Sequence, residues 1–262
     1  MRKFLTNPIK FTVLTLVAAL IAALLRSLAI VLAFKGNYFT GSPLAIAQSV
    51  VTGVFAIALA VLPLTAAKPS TAPRAPKSHA VFTKLAAALT ALCLFLCFIS
   101  ACVASGTLTL PVLLSLLAFP SLLAGIVYFV LHFFEKGVSL TVKTVFGSIL
   151  LLALAVLICF TYFDIGTQMN APHKSSQHVT LIAMMLWLLY DMRAAADVPR
   201  PRVQAALTPL ALFLCLTNGI SNIVGYVAGK YTSSLFFATD LLLLVFALFI
   251  VARTKEIYPQ SN

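Results

Sequence analysis

The chain has 262 residues, of which 61% are hydrophobic and only 9% are charged, and its mean hydropathy is +1.06. A soluble domain carries about 25% charged residues, so this composition excludes a water-soluble fold, whose exterior would lack polar groups. The formal net charge is +12, but the Lys and Arg residues lie between long apolar runs and do not cluster with aromatic residues. This arrangement argues against nucleic acid as a partner and indicates a lipid bilayer.

Eight apolar segments are long enough to cross a membrane, since about 20 residues span a hydrocarbon core of about 30 Å. From them we predict an all-α integral membrane protein, a bundle of about eight transmembrane helices in a single polytopic domain over residues 1–262, with no soluble domain. The first segment is longer than the core of a cleavable signal peptide and is predicted to be an uncleaved helix. The predicted spans are residues 11–34, 44–67, 81–104, 108–134, 140–163, 178–196, 203–228 and 232–251.

The basic residues between these segments predict their orientation. With the N-terminus inside, 14 of the 18 Lys and Arg residues fall in cytoplasmic segments, and each outer loop holds at most one. Cytoplasmic loops of membrane proteins carry such an excess, so both termini are predicted to be cytoplasmic. In general style the sequence resembles small multipass proteins of bacterial cytoplasmic membranes, and we expect that localisation.

Two charged residues inside predicted spans mark a candidate site. Ionisable groups are unfavourable in hydrocarbon, so their presence in a span indicates a functional or structural role. Arg26 lies about 22 Å from the inner end of the first span at 1.5 Å per residue. Asp240 lies about 12 Å below the outer end of the eighth span by the same rise. Both therefore fall in the outer half of the bilayer, and each is the obvious ion-pair partner of the other.

The seventh span adds polar side chains at the same level. Asn218, Asn222 and Tyr226 recur every four residues and form one stripe of the helix, and Gln48 with Thr52 on the second span could join them. A neighbouring ridge of small residues predicts that another helix packs closely against this span. The members of the ridge are Thr217, Ser221, Gly225 and Gly229.

These residues leave three functional interpretations open. The first, which we favour, is a transporter-like or solute-binding protein, with a small polar pocket in which Arg26 anchors a polar or anionic solute. The second is a structural or accessory subunit that packs against a membrane-protein partner; there the same residues form a sealed ion pair that fixes helix register. The third is an enzyme that acts on a lipid-linked substrate at the outer leaflet.

Asp164, His173 and His178 have side chains that bind zinc or copper. They fall in a predicted outer loop of ordinary polar composition, so solvated loop histidines are favoured over a metal site. The sequence contains no HExxH, GxSxG or Walker A motif. We therefore predict no cofactor and no resident metal, and we favour a protein without catalytic activity.

Overall fold

The computed structural model describes residues 8–35, 38–39, 41–65, 81–105, 112–131, 139–164, 171–196 and 198–257. Within these residues the chain forms eight α-helices and one antiparallel pair of two-residue strands between the first two helices. The helices are α1 (Pro8–Ala33), α2 (Pro43–Thr65), α3 (Val81–Ser105), α4 (Val112–Val130), α5 (Leu140–Phe163), α6 (Pro172–Ala195), α7 (Pro201–Val227) and α8 (Ser234–Ile257). The strands are β1 (Phe34–Lys35) and β2 (Tyr38–Phe39).

Six of these helices, namely α1, α2, α3, α5, α7 and α8, are long and apolar enough to cross a membrane. Their outward faces are apolar as well: Leu24, Leu32 and Ile57 expose 64%, 68% and 67% of their surfaces. Helices bathed in lipid present such faces because the bilayer solvates them. The predicted multipass helical character is therefore confirmed, and these apolar helices indicate an integral membrane protein.

The predicted boundaries agree with the helices at several ends. The predicted spans 81–104 and 140–163 match α3 and α5 to within one residue. Predicted residues 66–67, 108–111 and 132–134 lie outside the described part of the chain. The described apolar part of α4, Pro120–Val130, is shorter than a full span.

The largest departure from the predicted boundaries is at α6, which begins at Pro172, six residues earlier than predicted. Proline suits the first turn of a helix because its missing N–H needs no acceptor there. The residues after it are helical. Two of them are also buried, since His173 and Gln177 are 2% and 0% exposed. The favoured interpretation of His173 as a solvated loop histidine was wrong. Polarity alone suggested a loop, whereas partners on other helices hold these side chains inside the bundle.

Helix α7 lies at the centre of the half of the bundle that holds the site, since it packs against α1, α2, α6 and α8. The approach of α1 is close, because Ala19 and Ala22 are fully buried and the Thr217 hydroxyl donates to the carbonyl of Ala19 at 3.4 Å. Thr217 and Ser221 are also fully buried. This part of the small-residue ridge therefore packs as predicted.

The last member of the predicted ridge, Gly229, has a different role. It lies beyond the end of α7, is exposed and has a φ of 67°. The N–H of Lys230 donates to the carbonyl of Gly225 at 2.8 Å, and the N–H of Gly229 donates to the carbonyl of Tyr226 at 2.9 Å. These two bonds form a Schellman cap, for which glycine is favoured because the left-handed conformation strains other residues. Gly229 thus ends the helix and does not pack against another one.

Candidate functional site

The candidate site is centred on Asp240, which lies near the start of α8 and is fully buried. Its carboxylate accepts three hydrogen bonds. Nε2 of His173 faces Oδ2 at 2.8 Å, while the amide nitrogens of Gln177 and Asn222 donate to Oδ1 at 3.0 and 2.9 Å. Helices α6, α7 and α8 therefore converge on one carboxylate, which is surrounded by the donors that an anion needs.

Arg26 of α1 faces the same turn of α6. Its Nη2 donates to the hydroxyl of Ser176 at 2.7 Å, and this hydroxyl donates to the carbonyl of His173 at 2.9 Å. Ser176 is adjacent in sequence to Gln177, which binds Asp240. The guanidinium and the carboxylate therefore lie at one level of the bundle, as the predicted depths require.

The predicted direct ion pair between Arg26 and Asp240 was wrong. Among the described residues, the basic side chain that reaches within 4.0 Å of Asp240 is the imidazole of His173 and not the guanidinium of Arg26. The reason is that each charge binds a different side chain of α6, so polar groups of this helix separate the two. The sequence predicted that both charges lie at one level of the bundle but did not reveal the histidine that binds the carboxylate.

The polar stripe of α7 also binds to α6. Nδ2 of Asn218 donates to the hydroxyl of Thr180 at 2.6 Å and lies 3.4 Å from the carbonyl of Ser176. The ring of Tyr226 packs edge-on against His173, with ring centres 5.9 Å apart. We call the connected set the polar cluster; its members are Arg26, His173, Ser176, Gln177, Thr180, Asn218, Asn222, Tyr226, Tyr231 and Asp240.

Tyr231, in the segment between α7 and α8, forms one wall of the polar cluster. Its ring stacks on His173 with ring centres 4.1 Å apart and an angle of 21°. Gly225 makes this possible, because a Cβ at that position would overlap the ring of Tyr231. Burial raises the pKa of Tyr231 to about 12, with Arg26 acting to lower the pKa and Asp240 to raise it. The phenol therefore keeps its proton at neutral pH and can donate it in a hydrogen bond.

Two other predicted groups lie apart from the polar cluster. Gln48 is buried, but its amide nitrogen donates to the hydroxyl of the adjacent Ser49 at 2.7 Å, and no described hydrogen bond links it to α6, α7 or α8. The three weak metal candidates do not converge, since His178 bonds to Thr161 at 2.9 Å while His173 bonds to Asp240. In the described ranges no three His, Cys, Asp or Glu residues are grouped as a metal would need.

Sequence reasoning missed most of the residues that α6 contributes. His173, Gln177 and Thr180 lie at positions i, i+4 and i+7, which places them on one face of a helix. This spacing is a usable signal, but the predicted boundary at residue 178 divides it and leaves His173 and Gln177 in the outer loop. Tyr231 gave no comparable signal, since it lies between two spans and its contact with His173 depends on the tertiary fold.

Several buried polar atoms of the polar cluster have no hydrogen-bond partner among the described residues. An unsatisfied buried donor or acceptor costs about 1–3 kcal/mol, so folded proteins contain few of them. Six atoms of this kind belong to the polar cluster, and others lie outside it at Gln48, Thr52, Asp191, Arg193 and Gln204. The six in the cluster are Nε of Arg26, Oε1 of Gln177, Oδ1 of Asn218 and Asn222, and the hydroxyls of Tyr226 and Tyr231.

No family model, curated protein or solved structure matches the chain. The functional argument therefore rests on the geometry of the polar cluster.

Proposed function

We propose that this chain is a transporter-like, solute-binding protein of a bacterial cytoplasmic membrane, and that the polar cluster holds a small polar or anionic solute in the outer half of the bilayer. In this proposal all eight helices cross the membrane and both termini are cytoplasmic. Support for eight spans comes from the alternation of basic residues between the segments and from the packing of α4 and α6 against spans of sufficient length and hydropathy.

The observation that carries the proposal is that six buried polar atoms without a partner in the described structure belong to one connected cluster that contains Arg26 and Asp240. A purely structural cluster would be expected to satisfy its polar atoms, because each unsatisfied one destabilises the fold. A binding site keeps them for its ligand, since convergent polar groups give the ligand its orientation.

Arg26 is the proposed anchor for an anionic group. Its side chain is 7% exposed, and its buried Nε has no partner while Nη2 binds Ser176. A guanidinium presents donors in a planar fork that matches carboxylate and phosphate oxygens. A solute oxygen bound at Nε would satisfy this donor and bring a counter-charge to a buried cation.

The proposal is tested by thermal unfolding of the purified full chain in detergent with and without acetate, inorganic phosphate, glycine or glycerol. We expect at least one anionic or zwitterionic solute to raise the melting temperature, because a ligand that binds only the folded state stabilises it. The rise should be lost in Arg26→Gln.

The matched control is Thr15→Val on the same helix, because the buried Thr15 hydroxyl donates to the carbonyl of Phe11 within its own helix. This variant should respond to the solute as the unmodified chain does. If no solute raises the melting temperature, or if Arg26→Gln responds fully, the solute-binding proposal is wrong and the accessory-subunit alternative becomes the better explanation.

The eight-span topology has its own test, an impermeant maleimide applied to intact cells. Gly41 and Val198 are both exposed and are proposed to lie on opposite sides of the membrane. In a background without the native cysteines, Gly41→Cys should react from outside and Val198→Cys should react only after permeabilisation. Reaction of both from outside would show that one of the intervening helices does not cross.

A further inference from the structure

The hydrogen bonds around the unpartnered atoms determine which of these atoms are acceptors and which are donors. Gln177 and Asn222 each face the carboxylate of Asp240. A carboxylate anion only accepts hydrogen bonds, so each amide turns its nitrogen toward Asp240 and its oxygen away from it. These oxygens, Oε1 of Gln177 and Oδ1 of Asn222, are buried and without a partner in the described structure.

A third acceptor follows from the bonds around Asn218. The Thr180 hydroxyl donates its hydrogen to the carbonyl of Ser176 at 2.7 Å, so the same hydroxyl accepts from Asn218. The amide nitrogen of Asn218 therefore faces Thr180, and its oxygen is left over, buried and unpartnered. Helices α6 and α7 together offer three amide oxygens that lack donors.

The opposite kind of atom lies beside them. Nε of Arg26 carries a hydrogen and has no acceptor, and the hydroxyls of Tyr226 and Tyr231 are also unpartnered. The raised pKa of Tyr231 keeps its hydroxyl available as a donor. The polar cluster therefore presents donors suited to an anionic group and acceptors suited to a cationic one.

The cluster contains one guanidinium group and one carboxyl group beside the imidazole of His173. Arg26 supplies one cation and Asp240 one anion, and the side chains that bind them, Ser176 and Gln177, are adjacent in sequence. The neighbouring Lys174 of α6 turns toward the end of α5, where its ammonium donates to the carbonyls of Tyr162 and Asp164 at 2.9 and 3.0 Å. A ligand with one positive and one negative group, separated by a few bonds, would add no net charge to the cluster.

We infer that the solute of the polar cluster is a small zwitterion of the amino-acid type, whose carboxylate binds Arg26 and whose ammonium group binds the amide oxygens of Gln177, Asn218 and Asn222. An ammonium group has three donors and no acceptor, which matches three oxygens that lack donors. A carboxylate accepts hydrogen bonds from a guanidinium and from hydroxyls, which matches Nε of Arg26 and the hydroxyls of Tyr226 and Tyr231. The inference rests on the proposed solute-binding function and names the class of solute.

The test is calorimetric titration of the purified full chain with glycine, alanine, acetate, methylammonium and glycerol. Glycine or alanine should bind at least about tenfold more tightly than acetate or methylammonium, since each half-ligand leaves one set of polar atoms unsatisfied. Equal binding of acetate would overturn the zwitterion and leave an anion site, so the proposed function would stand. Equal binding of glycerol would favour a neutral polyol. Binding of none would overturn the inference and the proposed function together.

A pair of variants on α7 separates recognition from folding. Asn218→Ala removes one proposed ammonium acceptor without touching Asp240, and it should lower the affinity for alanine to near that for acetate while acetate binding is unchanged. Gln204→Ala is the matched control, a buried amide on the same helix about 21 Å away at 1.5 Å per residue. A loss of both affinities in Asn218→Ala would indicate a merely structural role and contradict the inference.

Discussion

Helices α6 and α8 are joined twice, and the two junctions are built differently. Near the N-terminal ends of both helices, the polar cluster joins them through His173, Gln177 and Asp240. Near the C-terminal ends, Arg253 donates to the carboxylate of Asp191 at 3.2 Å, and both side chains are almost fully buried. The two helices therefore run parallel, with a polar junction at each end.

The difference lies in how each junction treats its charges. The Asp191–Arg253 pair brings opposite charges into direct contact, which stabilises each of them in a medium of low dielectric constant. The polar cluster instead holds Arg26 and Asp240 apart, each bound by groups of α6. A direct pair uses the charges to hold helices together, even though Oδ1 of Asp191 has no partner in the described structure. The polar cluster differs because its charges do not meet and it contains six such atoms. A buried charge in a membrane bundle can therefore be assigned to a ligand site or to a structural ion pair only once the groups that bind it are known.

The largest expected effect comes from breaking the direct pair. Asp191→Ala removes the carboxylate that faces a buried guanidinium, and we expect the free energy of unfolding to fall by about 3 kcal/mol or more. Arg26→Gln should cost less stability, because Asp240 keeps its three donors in that variant. Reversible unfolding of both proteins in mixed detergent measures the two losses. A greater loss for Arg26→Gln would reverse the assigned roles of the two junctions.

An intermediate effect is expected from a double-mutant cycle within the polar cluster. His173→Ala and Asp240→Asn should show a coupling energy of about 1–3 kcal/mol, as is usual for residues in contact. The cycle of Arg26→Gln with Asp240→Asn should give a smaller coupling, because these side chains do not meet. Unfolding free energies of the single and double variants provide both values. If the arginine cycle gave the stronger coupling, the separation of charges described above would be wrong.

An effect of similar size is expected at the wall of the polar cluster. In Gly225→Ala the added methyl group meets the ring of Tyr231, and overpacking of this kind costs about 1–3 kcal/mol. Gly53→Ala is the control, since a Cβ there meets nothing within 4 Å. The two melting temperatures should therefore move apart, with Gly225→Ala the lower. Equal values would mean that Tyr231 does not rest on α7.

The sequence was informative where a residue type conflicts with its surroundings. Arg26 and Asp240 stand out because charges interrupt apolar runs, and the stripe of Asn218 and Asn222 follows from helical period. It was not informative about α6, because polar residues at the start of a span look like a loop until their partners are known. The pairing of His173 with Asp240 joins positions 67 residues apart. Such a contact depends on how three helices pack, which no local pattern encodes.

The polar start of α6 has a consequence for how the protein is made. His173 and Gln177 emerge from the ribosome before the carboxylate that binds them, which lies 67 and 63 residues further along the chain. At about 5–20 residues per second, the wait is about 3 to 13 s. During that time the first turns of α6 have no acceptor for their donors and are poorly suited to lipid. In the proposed eight-span topology, α6 would therefore be stable in the bilayer only once α8 has arrived, and the carboxylate of Asp240 would also help to complete membrane insertion.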